Sequence, residues 1–481
     1  MVTPEARPRE FLPNARELAL LFAARGLACV AAWVQGFRAL SDDDYARMSI
    51  AQRFAHAPHF DPSGTSWLPA PFWVYGATFR VFGTGLGVAR ATAIVAGLGA
   101  TVLVYVAARL IGVDRFGALL GAVLSCLLLN YSALLGIAAL PEVPCAAMLL
   151  FAAATLARPE PKLRALGAVS LIAASLSRYE AWPVALVFAV FCGWDALRRR
   201  HLAFAACAAL ALAGPMSWLL VGHFEHGSAW FFVARVTAYR HALGGPEAST
   251  LKKVFEYPWL ALRDEPSVWG VWLIFAFMRP KEAYPGHFGR CELALLTMLG
   301  FLMLGSVRDG VPTHHAGRVL LPIWFFVCIA AGHAFAARAT SGARRLGTAV
   351  VVVLMGSTAF TSGLITLDES FAQRSNELAA GIAARKYASS ALAIDTPDYG
   401  YFAVQASFGS PANTTVLDEH DPRRPIPSPF SSAQALDRAL RDRQAGFVIV
   451  TKAHASLLDP RCSELWDNAG FALFRCSPDS S

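Results

Sequence analysis

Apolar stretches long enough to meet the thickness of a lipid core recur along this chain, separated by short polar segments. A span takes roughly 17 to 25 apolar residues. Such stretches fall near 17–37, 88–110, 116–134, 143–157, 165–178, 183–197, 202–221, 267–279, 291–307, 319–337 and 346–366. Backbone exposed to lipid must satisfy its hydrogen bonds within helices. The pattern predicts an all-α polytopic membrane protein with about 11 transmembrane helices.

Past residue 367 the pattern changes. Asp, Asn, Ser and Pro become frequent, and strand-like runs at Ser390–Ile394, Thr414–Leu417, Gly446–Val450 and Gly470–Phe474 alternate with helical stretches near 370–388 and 432–443. That alternation predicts a small C-terminal α/β domain. The expected organisation is a membrane domain over 1–367, with long loops at 38–87 and 222–266, followed by the domain 368–481. The segment Asp421–Pro429, with Arg423 and Arg424, reads as a Pro-rich linker.

Composition agrees, with 55% hydrophobic residues, 16% charged ones and a mean hydropathy of +0.44, which leaves no soluble reading. Loop charge then gives an orientation. Arg7, Arg9 and Arg16, then Arg109 and Arg115, then Arg158, Lys162 and Arg164, then Arg198, Arg199 and Arg200, then Arg279, Lys281 and Arg290, then Arg338, Arg344 and Arg345 all fall on one side. Segment 131–142, on the other side, has neither Lys nor Arg. Basic loops stay cytoplasmic, so the N-terminus is expected inside a plasma (inner) membrane, with both long loops and the C-terminal domain extracytoplasmic. The net charge of +8 is largely this topogenic signal, and no nucleic-acid partner is expected. The first apolar stretch carries Arg25 and reads as a membrane helix, not a cleaved signal.

Cys29, Cys126, Cys145, Cys192, Cys207, Cys291 and Cys328 lie in or beside spans and read as small apolar packing residues. Cys462 and Cys476 lie in the exterior tail, where an oxidising compartment favours a disulfide, expected to pin the last helix to the last strand.

The run Ser41-Asp42-Asp43-Asp44 follows the first span directly. Acidic side chains beside hydrocarbon are costly and mark a candidate functional site. The local alternative is a capping box, with Ser41 as N-cap and Asp44 three residues on. Residues 45–54 then read as an amphipathic helix along the membrane surface, in which Asp43 and Arg47 are spaced to pair. His56, His59 and Asp61 lack a convincing metal-ligand spacing, and the aromatics of 67–75 suit the headgroup region. Asp395-Thr396-Pro397-Asp398-Tyr399-Gly400 reads as a turn, although its place after a strand is one where α/β sheets bind ligands. Gly83-x-Gly85-x-Gly87 has no preceding strand and is no nucleotide loop.

An Asp-acid pair opening a horizontal helix, a Pro-x-Pro-aromatic segment at Pro69-Ala70-Pro71-Phe72, then Phe82-Gly83 and Arg90 at the next span together resemble the GT-C membrane glycosyltransferases. The likeness is to the glycosyltransferase 39 group, which includes the protein O-mannosyltransferases and the lipid A aminoarabinose transferases. Ile50-Ala51 matches the later apolar pair of that pattern, Leu140-Pro141-Glu142-Val143-Pro144 its acidic-x-Pro motif, and Leu176-Ser177-Arg178-Tyr179-Glu180 its Arg-containing turn. His314-His315-Ala316-Gly317-Arg318-Val319-Leu320-Leu321-Pro322 resembles its late Arg-Tyr-x-x-Pro motif, with Val319 in place of Tyr.

The resemblance implies a GT-C-like fold and transfer of a sugar, with inversion, from a polyprenyl-phosphate donor to a hydroxyl of an extracytoplasmic protein, lipid or glycan. It puts the catalytic acid-base at Asp43 with Asp44 as its acidic neighbour, or at Asp42 if the register slips by one. Arg178, Arg318 and His315 become the candidates for the donor phosphate, Glu142, Glu180 and His314 for acceptor binding or support, and Arg90 for a structural role. No cofactor and no metal ligand set is implied, although a divalent ion is compatible with the chemistry. One departure stands out: many relatives carry Lys before the paired prolines, where this chain has Trp67-Leu68. The competing classes are a transporter or flippase for a lipid-linked or amphipathic solute, which would place charge at mid-bilayer, and a non-catalytic assembly protein in which Asp43 is replaceable.

Overall fold

The computed structural model describes residues 10–128, 131–243, 249–277, 288–308, 316–336, 373–418 and 428–476. Helix α1 (Ala15–Val34) starts with a reciprocal cap, in which the Asn14 side chain accepts from the Glu17 amide and the Glu17 carboxylate accepts from the Asn14 amide. Helices α2 (Asp42–His56) and α3 (Ala70–Phe82) occupy the first long loop. There follow α4 (Leu86–Leu110), α5 (Arg115–Cys126), the single turn α6 (Ser132–Leu135), α7 (Glu142–Thr155), α8 (Pro161–Ser175), α9 (Ala181–Arg199) and α10 (Leu202–His226). The second long loop holds α11 (Phe231–Leu243) and α12 (Thr250–Arg263). After it come α13 (Pro266–Phe277), α14 (Phe288–Val307), a 3-10 turn Ala316–Leu320 and α15 (Leu321–Ala336).

Six of the described helices are long and apolar enough to cross a membrane: α1, α4, α9, α10, α14, and α15 with its leading turn. This is a multi-pass membrane protein. The expected count of about 11 spans is not established, because the stretches at 116–134, 143–157 and 165–178 form α5, α7 and α8, of only 12, 14 and 15 residues. Pro141 precedes α7 and Pro161 is the first residue of α8, which sets where each begins. Helix α7 is buried along its length except at Pro144 and Met148. A helix surrounded by protein is under no demand to match the lipid thickness. The stretch 346–366 lies outside the described residues.

Small residues set the closest helix approach, as expected where lipid removes the hydrophobic drive between helices. Gly117 and Gly121 of α5 face Ile329 and Gly332 of α15, and a Cβ on Gly332 would stand 2.3 Å from the Gly117 carbonyl oxygen. The charge in the middle of α1 is satisfied: the Arg25 guanidinium donates to Thr101 Oγ1 at 3.1 Å and to the Ser132 carbonyl at 2.7 Å.

The C-terminal segment forms a five-stranded sheet of order β2-β1-β3-β5-β4, with β1 (Leu392–Ile394), β2 (Thr414–Val416), β3 (Phe447–Thr451), β4 (Cys462–Asp467) and β5 (Phe471–Cys476). Strand β1 pairs in parallel with β2 and β3, and β5 runs antiparallel to β3 and β4. Alternation along the strands feeds two faces. Leu392, Ile394, Phe447 and Ile449 pack with α16 (Ser375–Tyr387) and α17 (Tyr401–Phe408), while Ala393, Val448 and Val450 pack with α18 (Ala433–Asp442). Strand β4 and helix α17 are absent from the sequence pattern, since β4 is half exposed and α17 has only 8 residues. Cys462 and Cys476 are directly opposite each other and disulfide-bonded. The link therefore joins β4 to β5 and involves no helix. Of the linker Asp421–Pro429, residues 421–427 lie outside the described residues.

Helix α17 docks on α2. Ser49 Oγ donates to Gln405 Oε1 at 3.0 Å, and Gln52 Nε2 donates to the carbonyls of Thr84 at 2.8 Å and Ala406 at 2.9 Å. Residues 44–52 of α2 are all buried. The expected exposed polar face is thus corrected: α2 is enclosed between the bundle and the C-terminal sheet unit.

The α5–α15 contact yields a test. Gly332→Ala should destabilise the bundle by about 1–3 kcal/mol through overpacking, whereas Gly270→Ala, with nothing within 4 Å of its added Cβ, should be near neutral. Thermal unfolding in detergent of the two variants beside the parent decides it, and equal midpoints would show that the helices part freely.

Candidate active site

The three aspartates form the first turn of α2, at the positive end of its dipole, yet they point to three different partners. Ser41 makes no side-chain cap, and its Oγ is buried without a hydrogen bond. The capping-box reading fails because Asp44 is claimed elsewhere. Its carboxylate is fully buried, accepts from Arg90 Nη1 at 2.8 and 3.0 Å, and accepts from the Ala139 amide at 2.7 Å. Arg90 also donates to the carbonyls of Arg38 and Ile137, tying α4 to the segments at either side. Asp42 turns the other way, onto Arg374 at 2.9 and 2.7 Å.

Asp43 is the aspartate that joins the motif residues. Its Oδ2 lies 3.1 Å from Arg318 Nη2, with 35% of its side chain exposed. Arg318 Nε stands 3.3 Å from Glu142 Oε1, the same oxygen accepts from Arg178 Nη1, and Arg178 Nε donates to Glu180. Sequence segments far apart thus meet in one alternating chain of charge. Local structure explains each arrival. Glu142 is the first residue of α7, where a carboxylate complements the dipole, and Arg178 follows the end of α8, where a cation does. Arg318 sits in the 3-10 turn, whose Gly317 is required by a close approach: a Cβ there would stand 2.2 Å from Asp264 Oδ2. His314 and His315 lie outside the described residues.

Arg47 does not pair with Asp43 as its spacing predicted. Its guanidinium instead lies over the Trp67 ring, 4.6 Å from the centroid, and 5.6 Å from that of Phe72. The side chain is buried, and neither Nε nor Nη1 has a hydrogen-bond acceptor. Burial pulls this guanidinium down from its ordinary value to about 10, against the opposing pull of Glu142 and Asp43, with Arg178 and Arg318 also lowering it. The second carboxylate oxygen of Glu142 is likewise buried without a partner. Arg318 Nε, too, makes no hydrogen bond, but Arg318 is ion-paired with Asp43 and Glu142, whereas both of these Arg47 nitrogens are without an acceptor. The sequence marked Arg47 only as a neighbour of Asp43; that it stays vacant follows from the two aromatic rings beneath it.

Away from this cluster, Asp61 with Glu225 and His226 brings ligand atoms within 4.8 Å of one another, the described group with the donors for a metal ion. Asp61 already accepts from Ser63 and Gly64 through Oδ1 and lies 3.1 Å from His226 through Oδ2. In the C-terminal unit, Asp395 accepts from Thr451 and lies 2.8 Å from His454 Nδ1, while Asp398 is bonded to Arg374.

No protein-family model and no curated protein matches the sequence. Its fold is shared along nearly the whole chain with solved structures of ArnT. The similar solved structures are ArnT from Cupriavidus metallidurans bound to undecaprenyl phosphate and the same protein in the apo state. Each superposes with a TM-score of 0.63 over 97% of this chain and 100% of that one, at 14% identity, so the likeness is one of fold.

The Asp44–Arg90 pair predicts a pH-dependent defect. Burial pushes the Asp44 carboxyl above its ordinary value despite Arg90. A group raised in this way binds its proton more readily folded than unfolded, so its contribution to stability falls as pH rises through the raised value. Arg90→Gln leaves the carboxylate unpaired and should cost about 3–5 kcal/mol at neutral pH, with part of the loss regained on acidification. Denaturation midpoints across pH test this, and a loss independent of pH would mean that Asp44 is not the group left stranded.

Proposed function

We propose that this chain is a membrane glycosyltransferase that moves a sugar from a polyprenyl-phosphate donor to a hydroxyl of an acceptor on the extracytoplasmic face. The observation that carries the reading is the pairing of Asp43 with Arg318 next to Arg47, whose buried Nε and Nη1 have no acceptor. The shared fold supports it, as does the undecaprenyl phosphate bound in one of the ArnT structures. The basic-loop pattern supports a plasma-membrane location with the N-terminus cytoplasmic, the site outside, and the C-terminal unit on the same side.

The chemistry follows from these groups. The acceptor O–H gives its proton to the Asp43 carboxylate as general base, and the oxygen attacks the anomeric carbon. The bond from that carbon to the phosphate oxygen breaks, and polyprenyl phosphate departs with the electron pair. One displacement inverts the sugar carbon. The departing charge needs fixed cations, best supplied by guanidinium forks. Arg178 and Arg318 are held by Glu142, Glu180 and Asp43, so in this reading they set the field and orient Asp43, while Arg47 makes the direct phosphate contact. Arg47 thereby takes the part that Lys plays before the paired prolines in many relatives. Glu142 serves as the hub that fixes both other arginines. A flippase would carry charge through mid-bilayer, whereas this cluster is built from helix ends at one side of the bundle.

Two experiments test the reading. The first supplies the purified chain in nanodiscs with undecaprenyl-phosphate-linked aminoarabinose or mannose, plus envelope extract as acceptor, and follows release of undecaprenyl phosphate. Asp43→Asn should lower kcat by roughly 10²–10⁴-fold with folding unchanged, and Asp42→Asn should be milder. Full turnover in Asp43→Asn would remove the base assignment.

The second measures undecaprenyl phosphate binding directly by native mass spectrometry. Arg47→Gln should weaken it by about tenfold to a hundredfold, the loss of charge-assisted hydrogen bonds. Unchanged affinity in a folded variant would place the phosphate elsewhere.

A further inference from the structure

Arg374 sits where the C-terminal unit begins, 332 positions from the aspartate it binds. Its guanidinium engages carboxylates from separate segments. Nε and Nη2 grip Asp42 at 2.9 and 2.7 Å, Nη1 donates to Glu377 at 3.1 Å, and Nη2 also donates to Asp398 at 2.9 Å. Asp42 lies beside Asp43 in α2, Glu377 is in the first turn of α16, and Asp398 lies in the loop between β1 and α17. The same loop is anchored again, since Asp398 Oδ1 accepts from the Gly400 amide at 2.8 Å and the Tyr399 hydroxyl lies 3.4 Å from that of Tyr239 in α11.

The backbone shows what this arrangement costs. Arg374 is left-handed, with φ 48° and ψ 33°, a region that a long side chain adopts only when its surroundings enforce it. Helix α2 is held at a second place by the same unit, through Ser49 with Gln405 and Gln52 with Ala406. The first turn and the middle of α2 are thus both fixed from the C-terminal side.

We propose that Arg374 is a positioning residue for transfer, and that it makes the C-terminal unit a working part of the active site. The proposal rests on the transferase reading above. By neutralising Asp42 and fixing the first turn of α2, Arg374 sets where the adjacent Asp43 stands relative to Arg318. A bidentate guanidinium defines both distance and plane, which is what a residue next to the base requires. A base displaced by about 1 Å loses roughly a hundredfold in rate. Asp42, in this account, works as the handle by which the unit holds Asp43 in place.

The test uses the full chain in nanodiscs with whichever of the two donors the wild type consumes. Arg374→Gln should lower kcat by roughly tenfold to a hundredfold with donor KM unchanged. Adding Asp42→Asn should restore part of the loss, because the unneutralised charge beside Asp43 is then gone. An activity-independent arm follows amide hydrogen exchange over residues 42–46, which should quicken in Arg374→Gln. Wild-type kcat with wild-type exchange would overturn the proposal, and so would an equal kcat loss in the single and double variants. If Gln prevents folding, Arg374→Lys keeps the charge without the fork, and wild-type kcat and exchange in that variant also count against it. A wild type that consumes neither donor counts against the transferase reading, and the exchange arm then still judges the clamp.

Discussion

The structure depends on one constraint: charges removed from water together must meet together. Asp43, Arg318, Glu142, Arg178 and Glu180 form an alternating series, most of it less than a tenth exposed. Any of these alone would be expensive to bury, and removal of one partner from such a pair costs several kcal/mol. The start of α2, the start of α7, the end of α8 and the turn before α15 therefore have to arrive at one place. That requirement fixes the register of the bundle at this end more tightly than apolar packing, in which alanines and leucines of neighbouring spans are close to interchangeable. The opposite end has a smaller counterpart, where Asp195 is shared by Arg164 at 3.1 Å and Arg290 at 3.2 Å and ties α8, α9 and α14.

The sequence revealed these residues unevenly, for physical reasons. Glu142, Arg178 and Arg318 were drawn out by the motifs of the resemblance, because a charge at the end of an apolar stretch is by itself common in this chain. Asp43 could be ranked above its neighbours only by resemblance, since three consecutive aspartates carry no periodic signal and their partners lie 46, 275 and 332 positions away. The α/β character of the tail was legible in its alternating strands, although half-exposed β4 and the one short helix α17 fell below any pattern. The span count is left unestablished where helices are enclosed by protein, as α7 is, because a length rule applies to helices that face lipid.

The misjudged surface of α2 has the same origin. As a segment, residues 45–54, which include Ser49 and Gln52, read as an amphipathic helix along the membrane surface. In the folded chain those two side chains are buried against Gln405 and Ala406. Polarity marked a docking face for a distant part of the same chain. Nothing local distinguishes the two, because both demand hydrogen-bonding groups.

That docking bears on how a fold shared at 14% identity with ArnT would support phosphate chemistry without the lysine found in relatives before the paired prolines. Trp67-Leu68 occupies that place, and the Trp67 ring lies under Arg47. An aromatic face holds a guanidinium without consuming its N–H donors, whereas a carboxylate would have saturated them, as Glu142 and Glu180 do for Arg178. The substitution that removes one cation from the loop thus supplies the surface that keeps another vacant. Enclosure of α2 by the C-terminal unit leaves Arg47 buried. In the proposed reaction, a charged donor group entering this site would meet a cation that has already lost its solvent, so the desolvation cost would be met in folding instead of in binding.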